Sequence, residues 1–225
     1  MGIAYNTSIV RDGLVLHLDA ANVKSYPGTG TAWTDLSGNG RTATLFNSPS
    51  YDTSNGGNLT FDGVNDYATV GQINELQGNN AWSLEMWVNV NASEVGTGRK
   101  GWLFWEGPSN QTANQLISVS VTGGALEVAH WANDTTFANA TIDFGQWGCF
   151  VITFNGTTEY IYKNAVQVGS KNTTLSVTLG DIYLGSRVGI EYLNVKYGNF
   201  KIYTRALSAS EVRQNFEAHR GRYGI

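Results

Sequence analysis

Aromatic and polar side chains that could bind a sugar occur together at two predicted strand ends. Sugar rings bury an apolar face against aromatic rings, while their hydroxyls require hydrogen-bonding partners. We therefore expect a carbohydrate site to combine tryptophan with nearby carboxylate, amide or imidazole groups. The densest such combinations are Trp105-Glu106 and His130-Trp131 with Asn133-Asp134. The alternative for each of the seven tryptophans is a position in the core or at a subunit interface.

Three aspartates in glycine-rich turns could bind calcium. Asp35 begins the segment DLSGNG, and Asp62 and Asp66 bracket the segment FDGVND. Carboxylates and loop carbonyls are the hard oxygen ligands that Ca²⁺ takes. The same spacing also favours a simpler role, in which each aspartate accepts hydrogen bonds from its own turn. A structural Ca²⁺ ion is the one cofactor that the residues suggest, with turn capping as the alternative.

Other catalytic and metal-binding patterns are missing from the sequence. The single cysteine, Cys149, lies within an apolar strand pattern without an activating histidine nearby, so we interpret it as a small buried hydrophobe. One cysteine also excludes an intramolecular disulfide. The three histidines are dispersed, without an HExxH motif or a Cys/His cluster for zinc. These observations disfavour an enzyme.

The composition is typical of a turn-rich β protein and disfavours two classes of partner. Among 225 residues, 27 are glycine, 12% are aromatic and 14% are charged. The formal net charge is −4 without a basic run, so we expect neither nucleic acid nor a membrane surface as a partner. The N-terminus lacks the pattern of a secretory signal, and no apolar stretch is long enough to span a membrane.

The elements that would position these residues are strands. The stretch 147–169 is the clearest, because Phe150, Ile152 and Phe154 alternate with smaller residues and Asn155-Gly156 follows as a hairpin turn. We predict a three-stranded meander there, with those three side chains in the core. Similar patterns predict strands at residues 14–20, 42–46, 58–70 with a turn at 63–66, 82–90, 102–105, 116–121, 126–132, 181–185 and 196–203.

One segment, residues 208–219, has a helical pattern. Ser208 is an N-cap candidate, and Glu211 follows at the spacing of a capping box. No linker or repeat divides the sequence, so we predict one domain over residues 1–225, with residues 1–12 and 220–225 docking on it or on a neighbouring subunit. The predicted fold class is all-β, a two-sheet antiparallel jelly-roll sandwich with one short C-terminal helix.

Several long segments in a fixed order resemble a known superfamily. They are WSLEMWVNV, QWGCFVITFNGTTEYIYKNAVQVGS, DIYLGS and FKIYTRALSASEV. These are similar to strand signatures of the concanavalin A-like lectin/glucanase superfamily, in its laminin G-like and pentraxin-like branch. The opening GLVLHLDAANVKSYPGTGTAWTDLSGNG, the segment FDGVNDYATV and the ending ALSASEVRQNFEAHRGRYGI resemble the version found in tailed-phage virion proteins.

The resemblance implies a function without catalysis. Retaining glucanases of this fold carry two Glu and an Asp at alternate positions of one strand, whereas the corresponding strand here offers Glu85 alone. The family's strand before the RALS motif often carries an acidic pair that anchors a metal or a loop. Gly198 and Asn199 stand at those positions here, which weakens the expectation of a metal.

The resemblance further implies a protein of the phage particle, as a capsid decoration, fibre or tail component on the virion surface. The implied partners are other virion proteins, further copies in a homo-oligomer, and a host-surface polysaccharide. The superfamily includes lectins, hydrolases and adhesive modules, so the fold alone leaves two alternatives. These are a soluble calcium-dependent lectin and a glycan hydrolase of the glucanase fold.

Overall fold

The computed structural model describes residues 8–94, 100–108 and 112–225. Within these residues, sixteen strands and one α-helix form the fold, with short 3-10 helices at Ser54–Gly56, Asn74–Leu76 and Ala92–Glu94. The strands and the helix are β1 (Leu14–Asp19), β2 (Ala32–Trp33), β3 (Ala43–Phe46), β4 (Ser50–Asp52), β5 (Asn58–Asp62), β6 (Tyr67–Val70), β7 (Trp82–Val90), β8 (Gly101–Glu106), β9 (Ile117–Thr122), β10 (Ala125–Ala129), β11 (Thr135–Thr141), β12 (Gly148–Phe154), β13 (Thr158–Lys163), β14 (Val166–Asn172), β15 (Ile182–Leu184), β16 (Asn194–Tyr203) and α1 (Ala209–Tyr223).

The strands form two antiparallel sheets. Sheet A has the order β14-β13-β12-β7-β16-β5-β4, and β1 also pairs with β16. Sheet B has the order β11-β10-β9-β8-β15-β6-β3-β2. The sheets bury their inner faces against each other, which confirms the predicted two-sheet sandwich with one C-terminal helix.

The inner faces supply the core through the alternation read from the sequence. On β12, Phe150, Ile152 and Phe154 lie in the core between the sheets. On the other side of the same strand, Cys149 is buried in the apolar cluster that contacts α1. The predicted meander is confirmed, with its three strands at β12, β13 and β14.

The turn at residues 63–66 moves the chain from one sheet to the other. The predicted turn within the stretch 58–70 is confirmed, and it separates β5, which belongs to sheet A, from β6, which belongs to sheet B. The predicted strand 126–132 ends at Ala129, since Trp131 and Ala132 have φ angles of 58° and 55° that break the ladder. Three strands were not predicted: β2 and β4 are very short, and β11 is largely polar.

Helix α1 begins as the sequence predicts and ends later. The side chain of Ser208 accepts a hydrogen bond from the Glu211 N–H, and both halves of the capping box are present. The prediction of an end at residue 219 is wrong, because the helix continues to Tyr223 and closes at Gly224 in the left-handed conformation. Residues 220–223 are thus helical. Among the described residues, no helix has the length and apolar character needed to cross a membrane.

Helix α1 covers the outer face of sheet A. The Trp87 ring stacks on Phe216 with centroids 5.6 Å apart and on Tyr223 with centroids 4.3 Å apart. Gly198 permits this packing, because a Cβ there would collide with the Tyr223 ring. At the other end of the chain, the Val10 N–H donates to the Asn215 side chain at 2.8 Å. Residues 1–7 of the predicted docking N-terminus lie outside the described residues.

A buried polar network lies beneath α1. Lys201 Nζ is 2.6 Å from Glu85 Oε1, and neither side chain is exposed. Lys201 also donates to Asn199 Oδ1 at 2.6 Å, and Asn215 donates to Glu85 Oε2 at 2.7 Å. Burial opposes ionisation of Glu85, but the Lys201 ammonium holds its pKa below the ordinary value. The single carboxylate of the glucanase-like strand therefore anchors the helix and does not face solvent.

Candidate functional site

A pocket of about 330 Å³ opens on the outer face of sheet B, the face that α1 does not cover. Its size falls at the lower end of the range for small-molecule sites. We call it the tryptophan pocket, and its lining residues are Lys100, Trp102, Trp105, Leu116, Ser118, Ala129, Trp131, Asp134, Arg187 and Glu191.

An irregularity in β8 places two of the tryptophans on the same face. Residues three apart on a regular strand point to opposite faces. Here the register against β9 shifts between Trp102 and Phe104, so Trp102 lies opposite Ser120 and Trp105 lies opposite Ser118. The two indoles meet edge to face, with centroids 5.1 Å apart. They form one wall of the tryptophan pocket.

Arg187, from the loop after β15, lies among three indole rings. Its guanidinium carbon is 5.2 Å from the centroid of Trp105 and 5.9 Å from the centroids of both Trp102 and Trp131. Glu191 holds this arrangement, because it accepts from Trp102 Nε1 at 2.9 Å and lies 3.3 Å from Arg187 Nη1. Arg187 thereby offers a planar cation beside aromatic faces.

A second cation, Lys100, also lies near the Trp102 ring. Lys100 Nζ is 5.4 Å from the Trp102 ring centroid, 2.5 Å from Glu127 Oε1 and 3.9 Å from Asp134 Oδ2. The pocket therefore combines two cations with carboxylates that are paired to them. Such an arrangement presents both donors and acceptors around apolar surfaces.

The structure brings three of the six predicted sugar-binding residues together. Trp105, Trp131 and Asp134 all line the tryptophan pocket. Trp131 is 43% exposed, because its positive φ turns it away from the end of β10. Asp134 Oδ1 accepts from the His130 N–H at 3.2 Å, which closes this turn. These three residues therefore share one cavity, and sugar binding by them stays a prediction.

The other three predicted residues have structural contacts and do not line the tryptophan pocket. His130 is fully buried, with Nε2 2.6 Å from Glu159 Oε1 and Nδ1 2.8 Å from the Leu116 carbonyl. Asn133 donates to Asn114 Oδ1 at 2.6 Å and to Thr173 Oγ1 at 2.8 Å. These bonds fix the loop that carries Trp131.

Glu106 follows Trp105 on β8 and points to the opposite side of sheet B. Its cross-strand neighbours Ile117 and Ile182 belong to the core between the sheets. Its carboxyl is fully buried, and burial raises its pKa to about 8 against one hydrogen bond from the Gly180 N–H. Glu106 is therefore protonated near neutral pH and faces away from the pocket.

Two of the predicted calcium ligands, Asp62 and Asp66, accept hydrogen bonds within their own turn. Asp62 Oδ1 accepts from the backbone of Val64, Asn65 and Asp66, and Asp66 Oδ2 accepts from the Asp62 N–H at 3.1 Å.

Asp35 has a comparable set of partners. It accepts from the Ser37 N–H at 2.8 Å and the His17 N–H at 2.9 Å. Burial would raise the pKa of Asp35, but hydrogen bonds from Ser37, His17 and Arg41 hold it below its usual range. These contacts fit the turn-capping alternative, and calcium binding by the three aspartates stays a prediction.

Elsewhere in the described ranges, three metal-ligating side chains lie close together. They are His17 and Asp19 on β1 and His219 on α1, whose ligand atoms all lie within 4.8 Å of one another. Burial and the nearby Lys201 lower the pKa of His17 to about 3 and that of His219 to about 4. Sequence spacing gives no indication of this group.

Sequence reasoning missed four of the seven charged and aromatic residues of the tryptophan pocket: Lys100, Trp102, Arg187 and Glu191. From sequence alone, lysines and arginines such as Lys100 and Arg187 are expected to be solvated charges or salt-bridge partners. Both do form ion pairs, but they also lie beside indole rings. A tryptophan three residues from another on one strand would have indicated the pocket only if the bulge were known.

Comparison with known sequences identifies a family for most of the chain. A sequence model of the concanavalin A-like lectin/glucanases superfamily matches residues 61–213. A search of curated proteins finds no match.

Solved structures with the same fold include three toxin binding domains. The botulinum neurotoxin serotype D binding domain matches at a TM-score of 0.73 and 15% identity, over 92% of this chain and 52% of that one. The serotype D ligand binding domain in complex with N-acetylneuraminic acid matches at 0.74 and 16%, over 92% and 51%. The binding domain of Paraclostridial Mosquitocidal Protein 1 matches at 0.69 and 19%, over 92% and 52%. The chain thus spans about half the length of these domains, and the likeness concerns the fold.

Proposed function

The chain belongs to the concanavalin A-like lectin/glucanases superfamily, and we propose that within it the protein is a non-enzymatic glycan-binding module that uses the tryptophan pocket. One observation carries this proposal: three indole rings, two cations and two carboxylates line a single cavity on an uncovered sheet face. Aromatic rings bind the apolar faces of sugars, and charged forks bind their hydroxyls.

The polar groups of the pocket are held in place before any ligand arrives. Glu191 fixes both the Trp102 indole and the Arg187 guanidinium, and Lys100 is held by Glu127. Preorganised groups lose little conformational entropy on binding. The exposed Trp131 ring would cover a sugar from the open side, since it is the one tryptophan of the pocket with a large exposed surface.

Two features favour binding over hydrolysis. Glycoside hydrolysis needs two carboxyl groups that are free to flank one glycosidic bond, one of them as the acid. In the pocket, Asp134 lies 3.9 Å from Lys100 and Glu191 lies 3.3 Å from Arg187, so both carboxylates are already paired with cations. Glu85 is fully buried beneath α1 in an ion pair with Lys201, so it does not reach a substrate. The glycan hydrolase remains the alternative that release of reducing sugars from polysaccharides would support.

The structural neighbours support the proposal in one respect. They are binding domains of toxins, and one of them is in complex with N-acetylneuraminic acid. Sequence identity of 15–19% to these domains supports a shared fold and does not identify the sugar that this chain binds.

We propose further that the protein is a component of a tailed-phage particle surface, as a capsid decoration, fibre or tail protein. The support is the resemblance of its opening and closing segments to such proteins. A shallow sugar site gains avidity when a homo-oligomer repeats it on an assembly beside other virion proteins. Mass spectrometry of purified particles tests this location, and absence of the protein from them would exclude it.

The glycan proposal is tested on an array of host-surface and bacterial glycans with the purified full chain. We expect binding to at least one glycan class by the wild type and a loss of at least about tenfold in affinity for Trp131→Ala. The matched control is Trp147→Ala, which truncates a half-buried tryptophan near α1 on the sheet A side. That variant should bind like the wild type once thermal unfolding shows that both variants are folded.

The same array separates the alternatives. Binding that disappears with a chelator would favour the soluble calcium-dependent lectin. Absence of binding by a multivalent display of the wild type would exclude both lectin functions, and equal loss in Trp131→Ala and Trp147→Ala would place the site outside the tryptophan pocket.

A further inference from the structure

A group of nitrogen and oxygen ligands lies between β1 and α1, on the face of sheet A opposite the core. His17 and Asp19 are two residues apart on β1, so they share one face of the strand. His219 faces them from α1, and the three ligand atoms all lie within 4.8 Å of one another. We propose that His17, Asp19 and His219 bind a divalent transition metal ion of the zinc type.

The hydrogen bonds around the two imidazoles show which nitrogen each ring would offer. Lys201 Nζ donates to Asn199 Oδ1 at 2.6 Å, which fixes the orientation of the Asn199 amide. Its Nδ2 then lies 3.2 Å from Nε2 of His17 and 3.5 Å from Nε2 of His219. An amide nitrogen only donates, so both Nε2 atoms carry lone pairs. Both lone pairs therefore point towards the Asn199 amide nitrogen, the position that a metal ion would take.

The second nitrogen of His219 strengthens this assignment. Nδ1 of His219 lies 3.1 Å from the Asn215 carbonyl, which accepts only, so Nδ1 carries the hydrogen. A hydrogen bond from the second ring nitrogen to a carbonyl is the usual way in which a metal-binding histidine is oriented. His219 is thus held in the tautomer that binds a metal through Nε2.

Asp19 supplies the third ligand from a fixed position. Arg222 Nη1 donates to Asp19 Oδ1 at 2.6 Å, and the Ala21 N–H donates to the same oxygen at 3.0 Å. Both bonds end on Oδ1, so Oδ2 is the oxygen that a metal would take. The Asp19 side chain is 14% exposed, which gives an ion a path from solvent.

The donor set selects the class of ion. Two imidazoles and one carboxylate suit Zn²⁺ and similar borderline cations, whereas Ca²⁺ takes oxygen ligands. Bonds of about 2.0–2.1 Å to Zn²⁺ require the ligand atoms to draw together, and the Asn199 amide must move from the point it occupies. Three protein ligands leave the fourth position to water.

The charges facing the site are balanced in pairs. Lys201 is 2.6 Å from Glu85, and Arg222 is 2.6 Å from Asp19. The ion would therefore enter a locally neutral region. Because the ligands come from β1 and α1, a bound metal would join the first strand to the C-terminal helix and stabilise the folded state by linkage.

The test uses the full chain, stripped with a chelator and titrated with ZnCl₂ by calorimetry, together with thermal unfolding. We expect one Zn²⁺ per chain and a rise in Tm. In His219→Gln we expect affinity to fall by at least about tenfold and the rise in Tm to disappear. The matched control, Cys149→Ala, removes the single thiol and should bind as the wild type does.

A second variant keeps the proposal open to refutation if His219→Gln is poorly folded. Asn199→Asp retains an oxygen acceptor for Lys201 and replaces the obstructing amide group with a fourth ligand, so Zn²⁺ binding should tighten by at least about tenfold. Less than half an equivalent of Zn²⁺ on the wild type would overturn the proposal. Binding that survives His219→Gln but disappears in Cys149→Ala would overturn it too, because the thiol would then be the ligand.

Discussion

The outer faces of the two sheets carry similar side chains and differ in what covers them. On sheet A, Trp87 lies with the ion pair of Glu85 and Lys201 beneath α1, and all three side chains are fully buried. On sheet B, Trp102 and Trp105 lie beside Lys100 and Arg187, with no helix above them in the described part of the chain. Tryptophan, carboxylate and cation thus occur together twice.

The comparison shows how the covering element changes the role of the same chemistry. Beneath α1 the charges are removed from water and interact strongly, so each depends on its partner. On sheet B the ion pairs remain partly solvated and contribute little to stability, so their groups are available to a ligand. We infer that sheet A uses its tryptophan and charges to attach the helix, and sheet B uses them to bind.

The largest expected effect is on the buried ion pair. Lys201→Met removes the partner of a fully buried Glu85, and we expect the free energy of unfolding to fall by ~3–5 kcal/mol. The matched change on sheet B is Lys100→Met, whose side chain is 34% exposed. There we expect a loss of about 1 kcal/mol or less. Urea unfolding at neutral pH measures both.

A double variant separates two contributions to the stability lost in Lys201→Met: the lost attraction between the two charges, and the cost of leaving Glu85 charged and unpaired. Glu85→Gln combined with Lys201→Met leaves no uncompensated charge under α1 and should recover part of the stability lost by Lys201→Met alone. Equal losses for Lys201→Met and Lys100→Met would contradict the distinction between the two faces.

The next effect concerns Glu106, which is buried within sheet B one residue from the tryptophan pocket. Burial raises its pKa to about 8 in the folded protein, while an unfolded glutamate titrates near pH ~4.3. Between these values only the folded chain keeps the proton, so this residue makes the protein less stable as pH rises and has no further effect above about pH 8.

Glu106→Gln should remove that dependence. Per pH unit, Glu106 should contribute a loss of about 1.4 kcal/mol between pH 6 and pH 7 in the wild type. The measurement is the free energy of unfolding of the wild type and of Glu106→Gln at pH 6 and pH 7. Both proteins contain the same histidines, so the difference between the two pH dependences excludes the contribution of histidine titration. Parallel pH dependence in the two proteins would mean that the Glu106 carboxyl is ionised in the fold.

Local patterns explain why much of the fold could be predicted from the sequence. The alternation of Phe150, Ile152 and Phe154 repeats every two residues, and the capping box of Ser208 and Glu211 spans three. Such signals lie within one element, so they can be recognised without knowing which other element packs against it. They predict strands and a helix, but not which sheet face the helix covers.

The tryptophan pocket depends on contacts that cannot be inferred from the order of residues in the sequence. Trp102 joins Trp105 through a register shift in β8, Trp131 turns outward at a positive φ, and Arg187 arrives from a distant loop. The group of His17, Asp19 and His219 likewise joins opposite ends of the chain. Periodicity cannot report a bulge or a long-range contact, so only residues next to each other in sequence, such as those from His130 to Asp134, indicated part of the site.

The smallest expected effect on stability separates binding from folding on sheet B. Glu191 is 45% exposed at its side chain, and Glu191→Gln keeps its shape while removing the charge that pairs with Arg187. We expect a change of less than ~0.5 kcal/mol in the free energy of unfolding. The unpaired guanidinium should then attract anions more strongly, so the glycan array should shift towards acidic sugars by comparison with the wild type.

The same change in charge on sheet A, Glu85→Gln, should destabilise the fold and leave the glycan preference of the folded fraction unaltered. If Glu191→Gln leaves the array profile unchanged at equal stability, Arg187 does not contact the sugar, and the open face binds through its indoles alone.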